Sequence, residues 1–358
     1  MKAIILTKPQ TFEIRDIPPP SLTDETHVLI KVESCGICGS DLRYWKGDNP
    51  WALHTLGKAV PNPPNIILGH EFAGTVVESR SARFRSLVGR RVGAQAFRTC
   101  GKCRFCQSNR ENLCRETIHL GHAQGWGKMD YYPGAYAEYC VAWGDLVFPI
   151  PDDVPTEDAA MADVVCVGVH AIGRCTIYPG ANILCIGGGP IGFCAAQVAL
   201  ASGAAKVFVS EPAPVARHVL EQLSEKGIVV IDPTQEDIAD VLQRTDEGKV
   251  SSIIDSVGSP ATLESLLPFL EESGTYLNLA VHDVKATVPL LATGSERTIT
   301  TSSNALYRDV ARAYELLYSR HVDVRPMFTH RLPLEQFQRG FELLLREPKE
   351  AYKVLLNP

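Results

Sequence analysis

Along the first 150 or so residues, apolar positions come in short runs that Pro, Gly and Asp interrupt, as at 28–32 (VLIKV), 72–77 (FAGTVV) and 134–141 (GAYAEYCV). Such runs predict strands, and their close spacing predicts an all-β barrel for this half. From about residue 180 the pattern changes. Apolar runs at 182–186, 206–210, 228–231, 252–255 and 275–280 alternate with segments long enough for a helix. Strand and helix in alternation require parallel pairing through right-handed crossovers, so this half is predicted to be an open, doubly wound α/β sheet. After about residue 303, helical spacing returns at 310–318 and 334–345, and 351–356 reads as a final strand.

Length and charge narrow the picture. At about 150 residues per domain, a chain of 358 residues is expected to form two cores. Its 35 basic and 41 acidic residues leave a formal charge of -6, which argues against a nucleic-acid or anionic-membrane partner and suits a small neutral or cationic one. The most apolar stretch, 191–209, is interrupted by Gln197, Ser202, Gly203 and Lys206. A membrane span needs about 20 nearly uninterrupted apolar residues, so none is expected. The opening MKAIILTKPQ lacks the apolar length of an export signal, and a cytoplasmic protein is the expectation. Between Arg80 and Arg104 lie eight basic residues and no acidic one. Such a run is most often a solvated face, and no function is attached to it.

Eleven cysteines is an odd number without an export signal, which points to metal ligation before disulfides. Cys100, Cys103, Cys106 and Cys114 are spaced CxxCxxCx7C. Four thiolates this close can surround one Zn²⁺ with arms of about 2.3 Å and leave no open position, which makes the site structural. Its work would be to hold an irregular loop with little apolar content. An iron–sulfur cluster is the chemical rival, but the following Pro and second cysteine set of the ferredoxin type are missing.

The run 182–186 is followed by Gly187-Gly188-Gly189-Pro190-Ile191-Gly192 and then by helical spacing from Phe193 to Ala201. This is GxGxxG at a strand end and opening a helix, the context it requires. Gly187 permits the tight turn, Gly189 lets a pyrophosphate approach the backbone, and Gly192 lets helix and sheet pack closely. The next strand ends in Val209-Ser210-Glu211. Glu211 is placed to accept from the adenosine ribose and to repel a 2′-phosphate, which favours NAD over NADP; alternatively it simply opens the following helix. Arg217 stands near the adenine side, or is a solvated helix residue. Separately, Cys38 in CGICGSD (35–41) and His70 and Glu71 in GHE (69–71) offer a thiolate, an imidazole and a carboxylate. With a fourth group or water, such a trio leaves zinc an exchangeable position. Either piece alone is unremarkable, since Cys38 would serve as a buried thiol and His70 as a core histidine.

In combination these marks make the chain resemble the zinc-containing medium-chain alcohol and polyol dehydrogenases, a family that includes sorbitol, threonine and butanediol dehydrogenases. The resemblance also takes in VSEP (209–212) and ERTITTS (296–302). It implies a GroES-like β-barrel catalytic domain over residues 1–155, completed by 303–358, with a Rossmann domain over 156–302 and the active cleft between them. By position, Cys38 and His70 would hold a catalytic zinc, with Glu71 as a ligand or a carboxylate close behind. Asp163 would supply the remaining ligand, although relatives usually carry Glu-Pro where this chain has Asp163-Val164. Ser40 matches the hydroxyl that bonds the substrate oxygen and passes its proton outward. Arg43 replaces a relay histidine and stays protonated, so water or His54 completes the path, or Arg43 binds cofactor phosphate or an anionic substrate. Val257 and the run Leu279, Ala280, Val281 match segments beside the nicotinamide.

The implied activity is reversible, NAD-dependent oxidation of a secondary alcohol to a ketone. A polyol, sugar or cyclitol is the leading substrate class, and a small diol or hydroxy amino acid is the alternative. Segments 44–64, with Trp45, Trp51 and His54, and 121–132, with His122, Trp126 and Tyr131, are expected to line or cover the cleft. By analogy with relatives that pair through the edge strand near 275–300, the chain is expected to form a homodimer or homotetramer. A zinc-independent reductase on the same fold is disfavoured by Cys38 and His70. A non-catalytic binding protein is disfavoured by the intact metal and nucleotide motifs.

Overall fold

The computed structural model describes residues 1–244, 248–282 and 284–358. The chain divides into two units, one of residues 1–163, 306–319 and 328–358, the other of 164–305 and 320–327. Residues 156–163, expected in the second domain, fall in the first unit, and residues 303–305 and 320–327, expected in the first domain, fall in the second.

In the first unit the short apolar runs become strands centred on His27–Gly36, which pairs antiparallel with Glu71–Ser79, Tyr139–Trp143 and Lys353–Asn357. Arg91–Ala94 and Val147–Pro149 extend the sheet one way, and Phe328–Pro333 extends it the other. Lys2–Lys8 carries Thr11–Asp16 and Ile66–Ile67 in a second sheet. Ile4, Ile30, Ile66, Phe72 and Tyr136 belong to one buried core. The strand expected at 134–141 starts only at Tyr139. Upstream, the Ala135 and Tyr136 amides donate to the carbonyls of Gly69 and Leu68, and the Tyr136 carbonyl accepts from Ile4. Those bonds compete with a regular ladder, and they fasten this stretch to the turn that carries His70.

The helix expected at 334–345 opens as a 3₁₀ turn and is α-helical over Phe337–Leu345. The basic run from Arg80 is used within the unit. Arg91 donates to the carbonyls of Pro151 and Val154, both at 2.9 Å, Arg98 meets Asp145 at 3.1 Å, and Arg80 reaches the Leu22 carbonyl at 2.7 Å.

The second unit carries six parallel strands in the order Ile228–Ile231, Lys206–Ser210, Asn182–Ile186, Val250–Asp255, Leu270–Asn278 and Thr298–Thr301. In chain order this is third, second, first, fourth, fifth, sixth, so the winding reverses between the first and fourth strands. Ile186 and Asp255 end those two strands side by side. Open parallel sheets take their ligands at such a switch point, beyond the carboxyl ends. The helix Pro190–Ala201 is buried almost all round from Gly192 to Ala199, which is why its sequence lacks an amphipathic stripe.

Candidate active site

Cys38 is the N-cap of the helix Gly39–Lys46, and Asp41 folds back over it. Asp41 Oδ2 accepts from the Cys38 amide at 2.9 Å and from the Tyr136 hydroxyl at 2.7 Å. Cys38 is thus held at a helix N-terminus. The second segment arrives through Gly69, at φ 90°, where a Cβ would lie 2.5 Å from the Tyr136 ring. Glycine alone makes that turn, and it delivers His70 and Glu71 at the start of Glu71–Ser79. The donor atoms of Cys38, His70 and Glu71 consequently lie within 4.8 Å of one another.

Both His70 and Glu71 are buried. The His70 Nε2 atom is 3.4 Å from Ser40 Oγ, and Nδ1 is 3.5 Å from Asp41 Oδ1. Burial opposes a charge on His70, yet Asp41 and Cys38 beside it raise its pKa well above the ordinary value. This spot therefore favours positive charge, and its sulfur, nitrogen and oxygen donors fit zinc. Glu71 is held from the other side by Lys353, whose Nζ lies 2.5 Å from Oε2 and donates to the Ile37 carbonyl at 3.1 Å. Asp163 opens the helix Ala162–Ile172 and stands outside the three-atom cluster. Its carboxyl is pushed up to about 6, chiefly by burial. Arg43 pairs with Asp48 at 3.5 Å.

The aromatic segments expected over a cleft are packed into the first unit. Tyr44 is fully buried and stacks on His122. Trp126 stacks on Trp143 and donates to the His119 carbonyl at 2.9 Å. Trp45 and Tyr131 pack against the same core.

In the cysteine lobe, the Cys103–Cys106, Cys100–Cys114 and Cys100–Cys106 sulfurs are 3.5, 3.6 and 3.9 Å apart. A tetrahedron with arms of about 2.3 Å has edges of about 3.8 Å, whereas a disulfide needs about 2.05 Å. The four sulfurs therefore fit around one zinc. The Cys106 amide draws the Cys103 thiol down to about 7, toward the thiolate that a metal requires. Across residues 99–114 only Cys114 is buried, so the lobe has no core of its own.

The residues expected around a dinucleotide gather at the strand ends of the second unit. Gly187 has φ 91°, and a Cβ on Gly192 would stand 1.9 Å from the Gly187 carbonyl oxygen. A Cβ on Gly189 would meet no protein atom within 4 Å. That opening sits where Pro190 and Ile191 start the helix, whose free amides suit a pyrophosphate. Glu211 accepts from the amides of Gly188 at 2.7 Å and Ala213 at 2.8 Å. Arg217 donates to the Pro212 carbonyl at 2.6 Å and pairs with Asp232 at 2.8 Å, so it ties two strand ends together. Asp255 Oδ1 accepts from the amides of Val257 and Gly258, both at 2.8 Å, and the Asp255 carbonyl accepts from Leu279 at 2.8 Å. Val281 follows two residues on, partly exposed.

Sequence reasoning missed Asp41, Lys353, His119 and Asp255. Two of them had a signal: Asp41 stands three residues after Cys38, a capping spacing, and Lys353 is a lone charge in the apolar AYKVLL.

Two family profiles match the chain. One, described as "Alcohol dehydrogenase GroES-like domain", covers residues 24–152, and the other, "Zinc-binding dehydrogenase", covers residues 190–318. Over its full length the chain is 30% identical to the sorbitol dehydrogenase of Bacillus subtilis (strain 168), with 97% of that protein covered. The chain belongs to the zinc-containing medium-chain alcohol dehydrogenase family. An L-threonine 3-dehydrogenase of Rhizobium johnstonii is also 30% identical, over 96% of this chain and 95% of that one. A zinc-binding dehydrogenase of Sinorhizobium meliloti 1021, solved bound to NADP, superposes with a TM-score of 0.84 at 25% identity, covering 100% of this chain and 99% of that one. The family's GroES-like and Rossmann-like architecture is therefore the fold of this chain. Its members are named for different alcohols, so membership alone does not choose among them.

Proposed function

We propose that this dehydrogenase oxidises a secondary alcohol of a polyol, sugar or cyclitol reversibly to the ketone, with NAD⁺ accepting the hydride. The observation that carries the reading is the cluster of half-buried Cys38 with buried His70 and Glu71, and Ser40 Oγ 3.4 Å from His70. Cys38 and His70, with Glu71 or Asp163, would hold the catalytic zinc, which when bound supplies Lewis acidity that lowers the pKa of an alcohol. Ser40 bonds the substrate oxygen, takes its proton and passes its own outward. Arg43 cannot accept that proton, because a guanidinium stays charged. Burial lowers the His54 pKa, leaving a neutral imidazole that serves as acceptor, as water does otherwise. Glu211, fixed by the Gly188 and Ala213 amides, sets a negative charge where a 2′-phosphate would come, which supports NAD.

Full-length similarity to a sorbitol dehydrogenase supports the polyol class. Similarity to L-threonine 3-dehydrogenases favours a hydroxy amino acid as the second reading. Polyols, sugars, cyclitols, small diols and L-threonine, each with NAD⁺ and NADP⁺ at mildly alkaline pH, separate these by the absorbance of the reduced nicotinamide. The highest kcat/KM is expected on a polyhydroxylated substrate with NAD⁺. A clear preference for L-threonine or a diol overturns the substrate class, and a preference for NADP⁺ overturns the role given to Glu211.

The glycine turn makes its own prediction. Gly189→Ala adds a methyl that meets no protein atom, so apo stability should stay within about 0.5 kcal/mol of wild type. NAD⁺ affinity should nonetheless fall, because that space is needed for the pyrophosphate. Gly192→Ala drives its methyl against the Gly187 carbonyl and should cost about 1–3 kcal/mol of stability as well as binding. Thermal unfolding with and without NAD⁺ measures both, and equal losses of apo stability in the two variants would refute the distinction.

A further inference from the structure

His122 packs against the candidate metal ligand His70, and the reading above gives it no task. The loop that carries it packs on the turn before His70: a Cβ on Gly121 would lie 2.7 Å from the Gly69 carbonyl oxygen. Its ring stacks on Tyr44 at 4.5 Å and on His119 at 4.2 Å, and meets His70 edge-on at 4.5 Å. The donor atoms of Asp41, His70 and His122 lie within 4.8 Å of one another. Asp41 Oδ1, His70 Nδ1 and both ring nitrogens of His122 are buried and lack a hydrogen-bond partner. An apolar side chain would fill this space without the desolvation cost of an imidazole.

We propose that His122 is a positioning residue for the metal centre, donating a ring N–H to Asp41 Oδ1, directly or across one water, and so holding that carboxylate on His70 Nδ1. The inference rests on the zinc reading given above. Asp41 Oδ2 already accepts two hydrogen bonds, which leaves Oδ1 to serve His70. At 3.5 Å the Asp41–His70 approach is longer than an ordinary hydrogen bond, so the pair needs a third group to fix it. An imidazole ring carries at least one N–H donor, so His122 has a proton to offer Asp41 Oδ1. The stacked rings of Tyr44 and His119 restrict its plane. Carboxylates behind a ligating histidine fix its tautomer and orientation, and losing such support typically weakens metal binding by about 10–100-fold.

The test compares wild type with His122→Val, His122→Asn and His122→Gln, the amides being placed to replace one ring nitrogen each. Zinc content, the rate of zinc release to a chromogenic chelator and the visible spectrum of the cobalt-substituted protein are read on the full chain. His122→Val should release one of two zincs about 10–100-fold faster and shift the cobalt bands, with the lobe zinc and the melting curve retained. At least one amide variant should restore both readouts toward wild type. Wild-type release and spectrum in His122→Val overturn the proposal, as does equal impairment of all three variants, which would mark His122 as packing only. A third metal equivalent in wild type that His122→Val loses overturns it in favour of a cation on Asp41, His70 and His122. Wild type holding only the lobe zinc refutes the catalytic-zinc reading itself, and the inference with it.

Discussion

Cys38→Ala should lower kcat by about 10³-fold or more, equivalent to roughly 4 kcal/mol of transition-state stabilisation, while leaving NAD⁺ binding within a small factor of wild type. The sulfur is one of three donors in the cluster with His70 and Glu71. Its loss leaves an imidazole and a carboxylate already engaged by Lys353, too few groups to hold zinc in an open site. The glycine turn and Glu211 lie in the other unit, and their hydrogen bonds do not involve Cys38. Metal analysis should therefore fall from two zincs per chain to one, the survivor being in the cysteine lobe. Full activity in the variant, or loss of both ions together, would remove Cys38 from the role assigned to it.

The sequence made some of this legible and hid the rest for physical reasons. Strand–helix alternation revealed the second unit because each parallel strand is buried on both faces and reads as an unbroken apolar run. The glycine turn was legible because each of its glycines answers a separate steric demand at a fixed offset. The cysteine lobe was legible because its spacing is local. Residues 134–138 misled because Gly134 to Glu138 are apolar enough for a strand, yet their amides are taken by the turn at Leu68 and Gly69 and by neighbouring chain segments. Lys353 was hidden because its partner Glu71 lies 282 residues earlier, as 353 less 71 gives. Only the pairing of Lys353–Asn357 with His27–Gly36 brings the two together. His119 was hidden likewise, and His122, expected over a cleft, instead stacks with it beside His70: nothing in a loop sequence says where its rings will pack.

Lys353→Met should produce the largest stability change, and the change should depend on zinc. Glu71 and Lys353 are 1% and 2% exposed, so removing the ammonium strands a carboxylate where water cannot solvate it. Breaking a buried pair from one side costs about 3–5 kcal/mol, and the Ile37 carbonyl also loses its donor. In chelator, then, the variant should unfold at a much lower denaturant concentration than wild type treated in the same way, a comparison in which the emptied cysteine lobe cancels. With saturating zinc the gap should shrink, because a dication beside Glu71 supplies the compensating charge that Lys353 no longer gives. Adding Glu71→Gln to Lys353→Met should recover most of the loss in chelator, since neither partner then leaves an orphan charge, and should make the remaining gap insensitive to zinc at this residue. If the single variant is destabilised equally with and without zinc, Glu71 does not feel the cation. The ligand set would then reduce to Cys38, His70 and the carboxylate of Asp163.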